Sequence, residues 1–220
     1  LPYIEVIKTA NPTIVPETGG SVLFTFEVKN VSAQESVTIT SLTDSVFNIL
    51  SGDADCKLGT VLTAGASCTF TLTEWIEGDY SGPPHYNVFT AVAVDNDKEE
   101  AKDDDSATVT FLNVLPTIMV LKTPDHDYVP ETGADVIFNF VVTNTSSEEW
   151  VKITSLSDSV FGTLSGDTDC HIDTILSVGA SCDFSITKWI KGDYEGLPHI
   201  NTFTAHAVDN DGTDAVDSDD

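Results

Sequence analysis

The sequence predicts an all-β protein built from antiparallel β-sandwich domains. Apolar and polar residues alternate over short segments, most clearly at Val22, Phe24, Phe26 and Val28, as expected for strands with one buried face. Clusters of Gly and Pro separate these segments and mark turns. No segment carries apolar residues at helical spacing over three turns, so no helix is expected.

The second half of the chain repeats the first half. Pro2 aligns with Pro116 and Ser106 with Asp220 without a gap, and roughly three in five aligned residues are identical. We therefore expect two tandem domains, at 1–114 and 115–220. Two modules this alike are expected to come from a longer array. The second domain, which ends at Asp220, is expected to lack the counterpart of the final strand, either because the fragment was cut there or because a neighbouring chain fills the exposed edge. The junction has no Gly/Ser run, so no flexible linker is expected.

Each module is expected to contain seven short strands. Such a number in about 110 residues, with turn signals between the strands, is typical of an immunoglobulin-like sandwich. The fold class is therefore two tandem antiparallel immunoglobulin-like β-sandwich domains. In the first module the predicted strands are 3–9, 21–29, 37–42, 57–62, 67–75, 87–94 and 107–114.

The strongly negative net charge limits which molecules this chain is expected to bind. The formal net charge is −27, and the nine basic residues include no arginine. Binding to nucleic acid or to an anionic membrane surface requires Lys and Arg, so both are disfavoured. Multivalent cations or salt-rich surroundings are favoured. No apolar run is long enough to span a bilayer. The chain opens on Leu1 without a signal segment, so it is expected to be a mature fragment or a cut from a longer protein.

The four cysteines form one closely spaced pair in each module. Cys56 with Cys68, and Cys170 with Cys182, predict one local disulfide per domain. Disulfides indicate an oxidising compartment, outside the cell or in a periplasm. Metal binding by these thiolates would need two further soft ligands, and none is arranged nearby.

Each module also carries an acidic stretch after a predicted strand, with carboxylates at both ends of an expected loop. Asp and Asn oxygens are ligands for hard cations such as Ca²⁺. The alternative is a solvated acidic surface with no fixed ion. The candidate metal ligands are Asp95, Asn96, Asp97, Asp103 and Asp105, with their counterparts Asp209, Asn210, Asp211, Asp217 and Asp219.

A further set of carboxylates is expected to complete a calcium site at the junction of the modules. In a seven-strand sandwich the acidic loop joins the last two strands at one end of the module. That end of the second module would face the opposite end of the first. The additional candidate ligands are Glu17, Asp53, Asp55 and Asp79.

Short motifs also suggest a family. Val94–Asp97 after a strand, with Val15–Glu17 near the start, resembles the calcium-linker signatures of cadherin-like repeats. The whole module is similar to the immunoglobulin-like repeats of bacterial secreted and cell-surface proteins, through Lys8–Thr9 and Thr143–Thr145. The resemblance implies an extracellular, calcium-binding tandem repeat.

We therefore expect a structural role, as a calcium-stiffened stalk or adhesive array, with no enzymatic activity. The expected partners are neighbouring repeats and a cell-surface glycan or protein. Two alternatives remain: a carbohydrate-binding module and an accessory domain of a secreted enzyme. Trp75, Trp189, Tyr80 and Tyr194 suit sugar stacking, although aromatic residues at strand ends more often cap a core. His85 is interpreted as a loop histidine rather than a general base, because no nucleophile accompanies it.

Overall fold

The computed structural model describes all 220 residues and contains β-strands without helices. The all-β class is therefore confirmed, and no helix is present that could cross a membrane. The chain divides into two compact units, Leu1–Asn113 and Val114–Asp220. This division lies one residue from the boundary that the repeat predicts.

Unit 1 is a sandwich of two sheets. One sheet has the order β1-β3-β7, and the other has the order β2-β9-β8-β4-β5, with β6 also on β4. All pairs are antiparallel except β2 with β9, which is parallel. The strands are β1 Ile4–Asn11, β2 Ile14–Pro16, β3 Gly20–Asn30, β4 Val37–Asp44, β5 Asn48–Ile49, β6 Val61–Leu62, β7 Ser67–Ile76, β8 His85–Val94 and β9 Glu100–Leu112.

The alternating residues of the central strands form the core between these sheets. Phe26 of β3 lies 4.7 Å from Phe70 and 4.8 Å from Phe89, measured between ring centroids. Phe89 belongs to β8 in the opposite sheet, so this aromatic cluster joins both layers. Stacked and edge-to-face rings of this kind stabilise a core beyond their buried area.

Unit 2 repeats the arrangement. Its sheets have the orders β10-β11-β15 and β17-β16-β12-β13, with β14 also on β12. Phe140, Phe184 and Phe203 form the equivalent aromatic cluster. The strands are β10 Ile118–Pro124, β11 Ala134–Asn144, β12 Val151–Asp158, β13 Gly162–Thr163, β14 Ile175–Leu176, β15 Ser181–Ile190, β16 Phe203–Val208 and β17 Asp214–Asp219.

The last strand of each unit differs from the expectation. β9 begins at Glu100 rather than Ala107, so the acidic residues 103–105 lie in a strand and not in a loop. In unit 2 the first half of the equivalent strand, Asp214–Asp219, pairs with β16, while positions that match the predicted final strand at 107–114 lie beyond Asp220. Aspartate is unfavourable in strands, and here its carboxylates are satisfied by neighbouring backbone N–H groups.

The two units differ around Gly78 and its counterpart because the position that would match Phe111 lies beyond Asp220. In unit 1 the ring of Phe111 lies directly over Gly78, so that a Cβ on this glycine would be 2.4 Å from the ring. The equivalent Gly192 has no atom over it and lines a hollow of about 910 Å³. Phe138 and His199 are among the residues that line this hollow.

Candidate functional site

The acidic loop of unit 1 is a tight turn organised by its first aspartate. Asp95 Oδ1 accepts hydrogen bonds from the N–H groups of Asp97 and Glu99, both at 2.9 Å. Lys98 within the turn has a φ of 69°, a conformation that is uncommon for residues other than Gly. Part of the acidic pattern therefore has a local structural role, since Asp side chains stabilise turns in this way.

The corresponding loop of unit 2 contains a more buried carboxylate. Asp209 Oδ1 accepts hydrogen bonds from the N–H groups of Asp211 at 3.1 Å and Thr213 at 2.8 Å. Asp209 is only 3% exposed, and its Oδ2 is buried without a hydrogen-bond donor. A buried carboxylate oxygen without a donor is energetically costly. A cation at this position would offset that cost.

The pKa values of the two aspartates reflect this geometry. Burial, followed by the hydrogen bond with Asp211, raises the pKa of Asp209 to about 6. The same hydrogen bond, with Asp209, lowers the pKa of Asp211. Two carboxyl groups this close favour sharing one proton or one cation.

The strand aspartates are not brought to these loops. Asp103 lies three residues along β9 from the Val94–Glu100 pair, which corresponds to about 10 Å of strand. Its Oδ2 accepts a 2.8 Å hydrogen bond from the N–H of Val6, and Asp105 accepts one of 2.7 Å from Lys8. These side chains therefore tie β1 of one sheet to β9 of the other.

The same ties occur in unit 2. Asp217 Oδ2 accepts a 2.8 Å hydrogen bond from the N–H of Val120. Asp219 Oδ2 accepts one of 2.8 Å from the N–H of Lys122. Asp103, Asp105, Asp217 and Asp219 thus bind the backbone of the first strand of their own unit through hydrogen bonds. Their sequence pattern did not indicate this role.

The fold places the carboxyl groups of Glu17 and Asp79 next to each other, as a cation bound by both residues would require. Their carboxylate oxygens lie within 4.8 Å of each other. Glu17 Oε2 also accepts a 3.1 Å hydrogen bond from the N–H of Tyr80. Glu17 follows β2, which pairs with the end of β9, so this pair lies at the opposite end of unit 1 from Asp95.

Asp53 and Asp55 lie elsewhere. Asp53 Oδ1 accepts hydrogen bonds from the N–H groups of Asp55 at 2.8 Å and Cys56 at 3.0 Å, and Asp55 Oδ2 accepts one from Thr69 at 3.2 Å. Thr69 lies about 23 Å along β7 from Ile76, at 3.3 Å per residue. Asp53 and Asp55 therefore do not converge with Glu17 and Asp79, but stabilise the turn around the disulfide.

Both predicted disulfides are present. Cys56 is bonded to Cys68 and Cys170 to Cys182, with Cα–Cα distances of 5.2 and 5.1 Å. No cysteine is free. The first bond anchors the connection between β5 and β6 to β7 of the other sheet, and the second anchors the connection between β13 and β14 to β15.

The sequence interpretation missed a buried polar cluster that occurs in both units. Lys8 Nζ lies 2.6 Å from Asp44 Oδ2, and both side chains are fully buried. Lys8 Nζ also donates to the backbone oxygen of Asn87 at 3.0 Å, and Asn87 Nδ2 donates to Asp44 Oδ1 at 3.0 Å. A usable signal existed, because Lys8 occupies an inward position after Ile4 and Val6 in an alternating strand.

Burial has opposite effects on the two charged members of this cluster. Burial lowers the pKa of Lys8, although Asp44 opposes this effect. Burial would raise the pKa of Asp44, but hydrogen bonds from Lys8, Val46 and Phe47 lower it overall. The cluster thus joins a desolvated amine and a side-chain amide through one carboxyl group that both contact.

The aromatic residues near the Glu17 end lie on the surface. Trp75 and Trp189 are 59% and 61% exposed, so the expectation that they cap the core is wrong. The indole of Trp75 packs on the backbone of Gly19, which has a φ of +109°. Tyr80 and Tyr194 are exposed as well.

Comparison with known proteins identifies no family. No family model matches the sequence, and no curated protein matches it either. Similar solved structures include a tetra-tandem repeat in the extending region of a large adhesion protein, with 18% identity over 100% of this chain and 48% of that chain, at a TM-score of 0.29.

Two further solved structures also match this chain at low sequence identity. The fibronectin(III)-like modules of Clostridium thermocellum CbhA have 15% identity over 96% of this chain and 91% of that chain, at a TM-score of 0.24. BcpA, the major pilin subunit of Bacillus cereus, has 8% identity over 94% and 59%, at 0.33. The chain spans about half the length of the adhesion-protein and pilin chains. Likenesses of this strength concern the fold alone.

Proposed function

We propose that this chain is a segment of an extracellular or cell-surface protein in which tandem immunoglobulin-like modules form a load-bearing stalk or adhesive array. The observation that carries this proposal is the double fastening of the first strand. β1 pairs with β3 along one edge, and Asp103 and Asp105 hold its other edge to β9. Unit 2 has the same fastening.

This arrangement suits a module that carries tension. The first strand opens each unit and the last strand closes it, so a pull along the chain enters through one and leaves through the other. Hydrogen bonds between these two strands resist their sliding past one another. Because the rate of forced unfolding depends on such barriers, the aspartate ties are expected to raise the unfolding force.

The covalent and electrostatic features support the location outside the cell. One local disulfide in each unit is typical of proteins in oxidising compartments. A net charge of −27 suits an environment that is rich in cations. We propose no enzymatic role, since the carboxylates described above organise turns and strands and recur in both units.

Calcium binding is a second part of the proposal. Asp209 and Asp211 supply adjacent carboxylates, one of which has a buried oxygen without a donor, and Glu17 with Asp79 supplies another close pair. Carboxylate oxygens suit Ca²⁺, and extracellular modules bind it at roughly 10⁻⁴ to 10⁻³ M. The Asp95 loop is expected to bind more weakly because Lys98 lies within it. The idea that the loop of one module and the Glu–Asp pair of another share an ion stays a prediction.

Thermal unfolding of the full chain tests the calcium part. The chain is unfolded in excess EDTA, in millimolar Ca²⁺ and in millimolar Mg²⁺ at constant ionic strength. An ion that binds only the folded state raises the midpoint, so Ca²⁺ should raise it more than Mg²⁺, and Asp209→Asn should reduce the rise more than Asp95→Asn. Equal midpoints in EDTA and Ca²⁺ would leave the acidic loops as a solvated surface.

Single-molecule stretching of the full chain by its two ends tests the mechanical part. We expect two unfolding events, one for each unit, at forces that fall when Asp103 and Asp105 are both replaced by Ala. Unfolding of unit 1 at an unchanged force would contradict the load-bearing role of the aspartate ties.

A carbohydrate-binding role is the second candidate. The observation in its favour is the exposure of Trp75 and Trp189 at equivalent positions in both units, because exposed rings can stack on sugars. Binding to a panel of cell-surface glycans, compared between the wild type and Trp75→Ala with Trp189→Ala, tests it. Saturable binding that both substitutions remove would favour this role, and no binding would exclude it for the glycans used.

A further inference from the structure

A lysine, a carboxyl group and an asparagine amide form the same buried cluster in both units. In unit 1, Asp44 binds Lys8 Nζ through Oδ2 at 2.6 Å and Asn87 Nδ2 through Oδ1 at 3.0 Å. One carboxyl group therefore holds the amine and the amide next to each other. Asn87 Oδ1 is buried without a hydrogen-bond donor, so the contact with Asp44 is what positions this amide.

Unit 2 reproduces this arrangement with the equivalent residues. Asp158 Oδ2 lies 3.3 Å from Lys122 Nζ and accepts a 2.7 Å hydrogen bond from Asn201 Nδ2. Lys122 Nζ also contacts the backbone oxygen of Asn201. All three side chains are buried. Two sandwiches thus place the same three functional groups in the same contact.

The surroundings of the amine are apolar and aromatic. Lys8 Nζ lies 5.3 Å from the ring centroid of Phe24 and 5.7 Å from those of Phe26 and Phe47. Removal from water disfavours a charged ammonium, and a lysine that is desolvated in an apolar pocket is a better nucleophile because its amine is more often neutral. Burial accordingly lowers the pKa of Lys8.

A buried ion pair alone is a weak explanation for this cluster. Desolvation of two charges generally cancels most of their attraction, so apolar residues of similar size would serve stability at least as well. An ion pair also does not require an asparagine on the same carboxyl group. The combination of nucleophile, proton carrier and carbonyl compound instead matches the requirements of an acyl-transfer reaction.

We propose that Lys8 Nζ and Asn87 Cγ form a covalent amide bond within unit 1, and that Lys122 and Asn201 form the same bond within unit 2. Asp44 and Asp158 are the residues that transfer the proton. The reaction is a transamidation that takes place within the folded chain. It requires no cofactor, oxidant or further reactant.

The reaction conserves atoms and charge. Asp44 takes a proton from the Lys8 ammonium and leaves a neutral amine. The amine attacks Cγ of Asn87, so that an Nζ–Cγ bond forms while the Cγ–Nδ2 bond breaks. The departing NH2 group takes the proton held by Asp44 and the proton that the amine loses as the amide forms, so it leaves as an ammonium ion and Asp44 returns to a carboxylate. Relative to its neutral sequence the chain loses the mass of one ammonia. Because Asp44 holds both groups, the reaction is intramolecular and needs no bimolecular encounter, which accelerates such reactions strongly.

The bond would connect the two sheets of each sandwich. Lys8 belongs to β1 and Asn87 to β8, and these strands lie in different sheets. The two residues are 79 positions apart in sequence. A covalent link at this place would prevent β1 from detaching, so the inference goes beyond the aspartate ties and adds a permanent fastening to the first strand.

Intact-mass spectrometry of the purified, denatured and reduced full chain tests the proposal. Two bonds predict a mass below that of the reduced sequence by two molecules of ammonia, at about 17 Da each. A mass equal to that of the sequence would overturn it. A loss of about 18 Da per unit, the mass of water, would also overturn it, since Asp44 and Asp158 would then be the acyl donors. The wild-type measurement does not depend on whether any variant folds.

Variants locate the bond. Lys8→Met should restore the mass of one ammonia and remove the crosslinked peptide that joins β1 to β8, and Asp44→Asn should do the same if that variant folds. Lys29→Met, at an exposed lysine of β3, is the matched control and should keep both ammonia losses. If the mass measurement finds the bond, the stretching comparison is made in the Lys8→Met background, because the bond would otherwise carry the pull past the aspartate ties. If it finds no bond, the comparison stands as described, so the two proposals fail separately.

Discussion

Replacement of Asp103 with Ala removes one side-chain tie between the sheets of unit 1. Asp103 accepts a 2.8 Å hydrogen bond from the N–H of Val6, and Val6 is buried in the core. A hydrogen bond to a charged group contributes about 1.5–3 kcal/mol, and an N–H left without an acceptor costs a similar amount. We therefore expect Asp103→Ala to lower the free energy of unfolding of unit 1 by about 2 kcal/mol.

The double variant should be less stable than either single variant. Asp105 accepts the 2.7 Å hydrogen bond from the N–H of Lys8, so its replacement by Ala should have a similar effect. The sum is about 4 kcal/mol, although two ties on the same pair of strands are expected to be coupled rather than additive.

Urea unfolding of the full chain, followed by circular dichroism, measures this loss. Amide hydrogen exchange adds a local readout, since the Val6 amide should exchange faster in Asp103→Ala. Asp104→Ala is the matched control, because Asp104 lies between the two ties on β9 and is exposed, and surface substitutions usually change stability by less than about 0.5 kcal/mol. Equal stabilities for Asp103→Ala and Asp104→Ala would refute the reasoning.

Three further predictions concern a buried carboxyl group, a disulfide and a pair of glycines. The pKa of Asp209 is raised from 3.8 to about 6 in the folded state, so the folded state binds the proton more tightly than the unfolded state does. In EDTA, the free energy of unfolding of unit 2 should therefore fall by about 2–3 kcal/mol as the pH rises from 4 to 6. Asp209→Asn should remove this pH dependence in urea titrations. Cys170→Ala with Cys182→Ala opens a loop with a sequence separation of 12 and should cost about 3 kcal/mol, measured by thermal unfolding; an unchanged midpoint would contradict it. Gly52→Ala would place a Cβ 1.9 Å from a backbone oxygen and should lower the free energy of unfolding by more than about 2 kcal/mol. The Cβ of Gly59→Ala would meet no atom, so this variant should lose only about 1 kcal/mol. Similar losses for the two variants in calorimetry would contradict the steric explanation.

Alternation, turn residues and cysteine spacing were sufficient to predict most of the fold. Val22, Phe24, Phe26 and Val28 point into the core as their period requires. Both disulfides follow the predicted pairing. These signals are local, since a strand exposes alternate residues to one side and a short loop limits which cysteines can meet.

The last strand was misplaced because its stability depends on a distant segment. The run Asp103–Asp105 has low strand propensity, and only the N–H groups of β1 make it favourable there. Sequence spacing does not reveal that contact, because it joins residues 97 positions apart. The same limit explains why the candidate ligands at Asp103 and Asp105 appeared to belong to the loop at Asp95.

The buried polar cluster was missed for a related reason. Lys8 stands at an inward position, but its partners Asp44 and Asn87 are 36 and 79 positions away. Each of these residues alone is unremarkable in a strand or at its end. The cluster forms only where the two sheets pack against each other, and the local sequence does not show that contact.

Stretching the full chain by its two ends, with wild type, Asp103→Ala/Asp105→Ala and Asp104→Ala compared in the same buffer, tests the load-bearing role most directly. The aspartate ties predict that one of the two unfolding events moves to lower force in the double variant and stays unchanged in Asp104→Ala. The expected physical cause is faster forced unfolding of unit 1 when β1 is held to β9 by fewer hydrogen bonds. If both unfolding events occur at the wild-type force in the double variant, the first strand is not what carries the load, and the proposed function is contradicted.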